Sequence, residues 1–353
     1  MEPITITSKT HVIISGGAGF IGSHLSTRLL KSGARVTILT RHVQAPRAVQ
    51  LAQQGATVIP CDFSSPDLIP ACDKLPAADV FYHLAADVSV SSPKLWAANV
   101  DGTQRALDLT TALKIPYFVF ASSIEAQGLG SDQEIPLREE QSCRPVSDYG
   151  ISKAKAEELV SNWGNASGRR ALILRIGNVY GPGSAWFLQP SLMALLGLSP
   201  LRHAWSQLQH RVFQPLYIED LTEGMLRAVG QGLTGLYNIT GEEPVTVSGY
   251  LHALAGLTGM TDRLSLIQAP LTGTERPAQG IAPDFAYVLM GTPERCHRSY
   301  DNTKLRTKIG SYARWSLSRG LASTLHWHQT SGALPALLQA IRQRQGAASC
   351  TSH

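Results

Sequence analysis

The octapeptide Ser15-Gly-Gly-Ala-Gly-Phe-Ile-Gly22 follows the apolar run His11-Val-Ile-Ile14 and leads directly into a helical pattern. Gly16, Gly19 and Gly22 therefore fall where a strand turns into a helix. Glycine suits that place for three reasons: the chain turns tightly, a pyrophosphate approaches the backbone, and the helix packs close against the sheet. The helix N-terminus then faces the negative charge. Such a turn belongs to a parallel α/β architecture, and the rest of the chain agrees with it.

Apolar stretches rich in branched residues recur at His11–Ser15, Arg35–Thr40, Thr57–Cys61, Val80–Ala85, Tyr117–Ser122, Ala171–Ile176 and Gly235–Thr240, with helical patterns between them. This alternation predicts a doubly wound parallel sheet of the Rossmann kind, with crossover helices. In the first helix, Ile21, Leu25 and Leu29 recur every fourth residue to face the sheet, and Gly33 supplies the stop. At 353 residues and 43% hydrophobic content the chain can bury a large core. Composition shifts after Gly181-Pro-Gly183 and again after Gly241. We therefore expect a dinucleotide-binding domain over 1–180, completed by about 211–241. A smaller, discontinuous substrate lobe takes 181–210 and 242–345, and 346–353 is a disordered tail.

Several classes of protein are disfavoured. The five cysteines are widely spaced and form neither a disulfide framework nor a metal-ligand pattern, so no metal is expected. There is no apolar run of membrane-spanning length and no basic leader, which predicts a cytoplasmic protein without a membrane partner. Net charge is +5, with seven Lys/Arg against one acid from residue 301 onward. Without interleaved aromatic residues this reads as a solvated face, not a nucleic-acid surface.

Chemistry enters with Tyr149-Gly-Ile-Ser-Lys153 and with Ser122-Ser123, at the end of Tyr117-Phe-Val-Phe-Ala121. Tyr149 and Lys153 are four apart, which places both on one helix face. A phenol with a reference pKa near ~10 needs an ammonium beside it to exchange protons at neutral pH, and Lys153 is expected to supply that charge. Tyr82-His-Leu-Ala-Ala86, Asn99-Val-Asp-Gly-Thr103, Arg175-Ile-Gly-Asn-Val-Tyr-Gly-Pro-Gly183, Tyr217-Ile-Glu-Asp-Leu221 and Asp301-Asn-Thr-Lys304 complete a set that resembles the extended short-chain dehydrogenase/reductases, the epimerase/dehydratase-like group.

The resemblance implies a catalytic set of Ser123, Tyr149 and Lys153, with Ser122 as the alternative hydroxyl. It implies cofactor contacts from Gly16, Gly19, Phe20, Ile21 and Gly22, from Asp62 and Phe63 toward adenine, and from Leu84, Ala85 and Ala86 along the ribose and pyrophosphate. Tyr149 and Lys153 reach the nicotinamide ribose, and Asn99 props the active-site backbone. A turn-capping role is the alternative for Asp62, and simple packing for 84–86. The second strand ends Leu39-Thr40-Arg41, where an acid would mark a free ribose hydroxyl. A guanidinium there favours NADP(H), with NAD(H) as the alternative.

Substrate signals diverge. Asn178 resembles the residue that nucleotide-sugar members place near the diphosphate, yet Phe213 stands where they carry an arginine, with Arg211 two positions earlier. Glu125 occupies the place of a dehydratase base, but Ile124 replaces its acidic partner. The balance of these signals predicts an NADP(H)-dependent dehydrogenase or ketoreductase acting on a secondary alcohol or ketone. The alternatives are a nucleotide-sugar epimerase or reductase and, from another class, a non-catalytic cofactor-sensing protein. Trp186, Phe187, Trp205, His210, Phe285 and Tyr287 are candidate pocket residues. A homodimer through helices near Gln104–Leu113 and Ser152–Trp163 follows by analogy with the family.

Overall fold

The computed structural model describes residues 4–65, 75–89, 92–184, 188–196, 201–268, 292 and 294–333. Seven strands form one parallel sheet: β1 (His11–Ser15), β2 (Arg35–Thr40), β3 (Thr57–Pro60), β4 (Val80–His83), β5 (Tyr117–Ser123), β6 (Arg170–Ile176) and, much later in the chain, β10 (Gly235–Ile239). Their spatial order is β10-β6-β5-β4-β1-β2-β3, so the topology reverses between β1 and β4. In such sheets ligands bind outside the strand ends at the reversal. The glycine turn leaves β1 at that place.

All seven apolar stretches of the sequence become strands of this sheet. The central ones read as continuous apolar runs because they are buried on both faces, Tyr117 and Val119 of β5 joining one core cluster and Phe118 and Phe120 the other, whereas β3 at the edge is exposed at Thr57 and Pro60 and half-buried between. Three short strand pieces, β7 (Asn178–Tyr180), β8 (Val212–Phe213) and β9 (Pro215–Tyr217), with β11 (Val245–Thr246), build two small accessory sheets, β7 with β9 and β8 with β11.

Four helices matter for the site: α1 (Phe20–Lys31), α2 (Pro46–Gln53), α3 (Gly102–Ala112) and α4 (Asp148–Ser167). Helix α1 buries Gly22, Leu25, Ser26 and Leu29. It ends before Gly33, whose φ of +85° is one that side chains rarely adopt. Helix α4 starts where Ser147 accepts a hydrogen bond from the Gly150 amide at 3.0 Å, with Asp148 in its positive first turn. It stops at Gly168, which is left-handed.

Candidate active site

The turn between β1 and α1 is shaped for an anion. Gly16 has φ +69°, and a Cβ there would lie 2.8 Å from the Ala85 nitrogen. A Cβ on Gly22 would meet the Gly16 carbonyl at 2.2 Å, so the helix could not sit this close with any side chain. Gly19 caps α1 without a side-chain hydrogen bond, and the first turn contains no acid. The amides of that turn are thus left to a ligand, which is the requirement for binding phosphate. The residues present fit a dinucleotide.

The neighbouring residues vary in how they meet their expected roles. Leu84, Ala85 and Ala86 lie half-buried past β4, and the Ala85 amide donates to Ser15 Oγ at 3.3 Å. Phe20 and Ile21 open α1, with the Phe20 ring edge-on to His24. Arg41 is exposed just beyond β2. Asp62 Oδ1 accepts from the Ser64 amide at 2.9 Å and its hydroxyl at 2.6 Å, so the capping alternative describes that oxygen. The net effect holds the carboxyl below its ordinary range: burial opposes this, while the Ser64 bonds and the Arg41 charge favour it. Phe63 is buried, edge-on to Phe81 and His83, so its ring belongs to the core and its backbone alone is left to face a ligand.

Ser123, Tyr149 and Lys153 converge at the end of β5. The pairing of β5 with β6 sets Ser122 beside Arg175 and Ser123 beside Ile176. Successive side chains point to opposite faces, so only one serine can meet the tyrosine. That one is Ser123, which is hydrogen-bonded to Tyr149. Ser122 is engaged elsewhere, donating to Glu157 Oε1 at 2.5 Å. Ser123 also accepts from the Glu125 amide, which fixes the short turn Ile124–Ala126.

Lys153 is 2% exposed, and its Nζ donates to the Ala121 carbonyl at 2.6 Å while lying 4.2 Å above the Phe120 ring. Burial pulls its pKa down to about 7, against the raising influence of Glu157. The Tyr149 phenol is pushed up to about 12, chiefly by burial; the Ser123 bond lowers it and the Glu125 charge raises it. Burial thus outweighs the lowering of the phenol expected from Lys153, whose Nζ donates to the Ala121 carbonyl and lies over the Phe120 ring.

Asn99 sits in a π-helical turn, Ala97–Asp101, preceding α3. Its Oδ1 accepts from the Asp87 amide at 2.8 Å, and its Nδ2 donates to the Asp87 carbonyl at 2.9 Å and to Ser152 Oγ at 3.0 Å. It thereby ties the loop after β4 to the helix that carries Tyr149.

Glu125 is 2% exposed and accepts from Ser147 Oγ at 3.3 Å and from Arg298 Nε at 3.4 Å. Arg298 is buried and arrives from beyond residue 292, its backbone bridged to Phe213. Arg211 is buried too, donating to the Gln207 carbonyl at 3.3 Å; burial and the Arg298 charge lower its pKa, while Cys296 opposes them. Asn178 is buried on β7. Phe213 packs against Tyr250 in the core. Trp205 is likewise core and His210 is exposed; Trp186, Phe187, Phe285 and Tyr287 lie outside the described residues.

Sequence reasoning misses two participants. Glu157, four residues beyond Lys153, binds Arg175 through Nε and Nη2 at 2.8–3.2 Å. Its spacing on α4 is the available signal. Arg298 has none, since only the fold brings it to Glu125. No group of His, Cys, Asp and Glu among the described residues could hold a metal ion, and no helix there is long and apolar enough to cross a membrane.

Comparison with known proteins accords with this geometry. The family model for the NAD dependent epimerase/dehydratase family matches residues 12–240. UDP-glucuronate 4-epimerase 4 of Arabidopsis thaliana is 24% identical over 87% of this chain and 75% of its own length. UDP-N-acetyl-alpha-D-glucosaminuronate decarboxylase of Bacillus cytotoxicus is 26% identical over 90% of this chain and 98% of its own. Among solved structures, UDP-glucose 4-epimerase of Thermotoga maritima with UDP-glucose superposes with a TM-score of 0.70 at 21% identity, covering 91% of this chain and 99% of that one. UDP-glucose 4-epimerase of Thermus thermophilus, in complex with NAD, gives 0.69 at 24% identity over 91% and 99%. With its glycine turn, its Ser-Tyr-Lys group and this match over most of its length, the chain belongs to the NAD-dependent epimerase/dehydratase family of extended short-chain dehydrogenase/reductase enzymes.

Proposed function

We propose that this protein converts a nucleoside diphosphate sugar by exchanging a hydride at a ring carbinol, in an epimerase-type cycle that re-reduces the oxidised sugar before release. The carrying observation is the buried Arg298, paired with Glu125 two residues from Ser123, together with the buried Arg211, whose pKa the Arg298 charge lowers. Such cations suit a diphosphate. It answers the departure at Phe213: the cations come from 211 and 298 instead. The named activities of the relatives, on UDP-linked sugars, favour this reading over the ketoreductase.

When bound, a nicotinamide dinucleotide supplies the carbon that accepts and returns hydride. Ser123 orients the sugar hydroxyl, and Tyr149 Oη takes its proton and later gives it back. Lys153 would hold the ribose of a bound dinucleotide and supply an ammonium charge there, and the apolar packing around it keeps water out. Because burial raises the phenol in the free protein, Tyr149 is protonated there at neutral pH and must lose that proton before it can take one from the sugar hydroxyl.

For the cofactor we retain a preference for the 2′-phosphate, resting on Thr40 and the exposed Arg41 at the end of β2. Structural neighbours named with NAD argue for the alternative, and dissociation constants for NADPH and NADH decide between them. We assign the substrate lobe to 181–210 and 242–345 and a dimer face to α3 and α4, in a cytoplasmic enzyme.

The test is incubation with UDP-glucose, UDP-galactose or UDP-glucuronate, reading exchange of the C4 isomers and absorbance of the reduced nicotinamide. Isomer exchange without net cofactor consumption is expected. Stoichiometric loss of NADPH with no isomer exchange would establish the ketoreductase instead. Tyr149→Phe should abolish turnover while dinucleotide binding persists.

A further inference from the structure

We propose that His83 and Thr103 are positioning residues: with Ser15 they form a one-way hydrogen-bond chain that ties the phosphate turn to Asn99, and through Asn99 to the helix bearing Tyr149. This rests on the reading of the glycine turn as the dinucleotide seat and of Tyr149 as the proton carrier.

The register of β1 with β4 places Ser15 directly beside His83. Ser15 Oγ lies 2.7 Å from His83 Nδ1, and His83 Nε2 lies 3.3 Å from Thr103 Oγ1. Thr103 donates to the Asn99 carbonyl at 2.6 Å. The Asn99 side chain donates to Ser152 Oγ, and Ser152 donates to the Tyr149 carbonyl at 2.7 Å. Ser15, His83, Thr103, Asn99 and Ser152 are each at most 1% exposed. Five buried polar side chains, linked by hydrogen bonds that pass through the Asn99 backbone carbonyl and resume at its side chain, are costly to desolvate, and each link is worth more than it would be in water.

Direction follows from donor counting. Thr103 has one hydroxyl proton, and the Asn99 carbonyl can only accept it. Thr103 Oγ1 must then accept from His83, so Nε2 carries the imidazole proton. His83 is neutral: burial and the Lys153 charge bring its pKa down to about 3. A neutral ring has one N–H, so Nδ1 accepts, and the Ser15 hydroxyl donates to it. Ser15 Oγ in turn accepts from the Ala85 amide, beside the Gly16 turn. Every proton has one place. The ring itself is held by Phe63 edge-on at 5.5 Å and by Phe118 and Phe120 stacked at 6.0 Å. It can neither flip nor charge without disrupting that cage. A shift of the phosphate turn is thereby transmitted to the backbone that aims Tyr149.

Three measurements test the chain. Thr103→Val keeps the shape and removes the hydroxyl; we expect dinucleotide affinity and kcat each to fall by about five- to ten-fold, with KM for the nucleotide sugar unchanged. Thr103→Ser should restore both. Wild-type affinity and kcat in Thr103→Val would overturn the proposal, as would failure of the serine variant to rescue. On the wild-type protein, 15N-histidine NMR should find His83 as the Nε2–H tautomer, unchanged from pH 6 to 8. An Nδ1–H tautomer or an imidazolium there would overturn it. Wild-type protein that binds neither dinucleotide would refute the functional reading instead, while the tautomer measurement still decides the chain.

Discussion

Replacing Glu157 with glutamine separates the electrostatic support of Lys153 from the mechanical support of its helix. Glu157 accepts from Ser122 and from Arg175 through three contacts, and the Arg175 and Glu157 side chains are 4% and 8% exposed. The glutamine variant keeps the size but leaves Arg175 charged, buried and without its carboxylate. That loss costs about 3–5 kcal/mol, within the ~5–15 kcal/mol by which domains are stable, so the variant remains folded at 25 °C. Lys153 also loses the charge that raises its pKa. At roughly 6 Å, the spacing of residues four apart on a helix, and an effective dielectric near ~20, that charge is worth about 2–3 kcal/mol. The ammonium, already at about 7 in the parent protein, would then be lost about 1.5–2 pH units lower. The assay is the pH dependence of kcat/KM, which reports groups of the free enzyme. We expect the alkaline limb to move down by that amount, and turnover at pH 7 to fall about ten-fold or more. Arg175→Lys is the control: it loses the forked bond and some stability, but leaves Glu157 charged and the limb in place. An unmoved limb in Glu157→Gln would refute the electrostatic argument.

Three further outcomes follow from the same geometry. Lys153→Met removes a buried amine whose proton is held far less tightly than in the unfolded chain, so denaturant titration at pH 7 should find it more stable and inactive. In the parent, that amine makes the unfolded chain bind more protons between about pH 7 and 10.5, so its contribution to stability rises with pH over this window and should vanish in the variant. Gly22→Ala forces a Cβ against the Gly16 carbonyl and the Gly17 Cα; calorimetry should find dinucleotide binding lost, with about 1–3 kcal/mol of stability. Arg41→Asp should shift preference toward NADH by about ten-fold or more, and equal affinities before and after would remove Arg41 from cofactor selection.

Most of the sheet is legible in the sequence because a strand buried on both faces is rich in branched and aromatic apolar residues, as β1, β4 and β5 are. The Tyr149 and Lys153 pair is legible because helical spacing is local. The choice of Ser123 over Ser122 is settled by strand register, which pairs Ser122 with Arg175 across β5 and β6. The ionisation of Tyr149 is not legible: spacing places an ammonium on the same face but does not tell which oxygen it serves, and Lys153 serves Ala121. The burial of the Phe63 ring is not legible for a similar reason, since an aromatic after a strand points into the core or out of it according to packing alone. Arg298 lies 173 residues from Glu125, beyond the reach of any local pattern.

The last strand of the sheet, β10, pairs with β6 in parallel, Gly235 to Leu172 through Ile239 to Ile176. A ribosome must therefore release about sixty residues past β6 before that border is closed. Until then β6 presents a row of unsatisfied amides and carbonyls to its surroundings, an invitation to sticky association. Stopping synthesis after Tyr180 would make that situation permanent. A fragment ending there, although it contains the glycine turn and the whole Ser-Tyr-Lys group, should emerge as insoluble material.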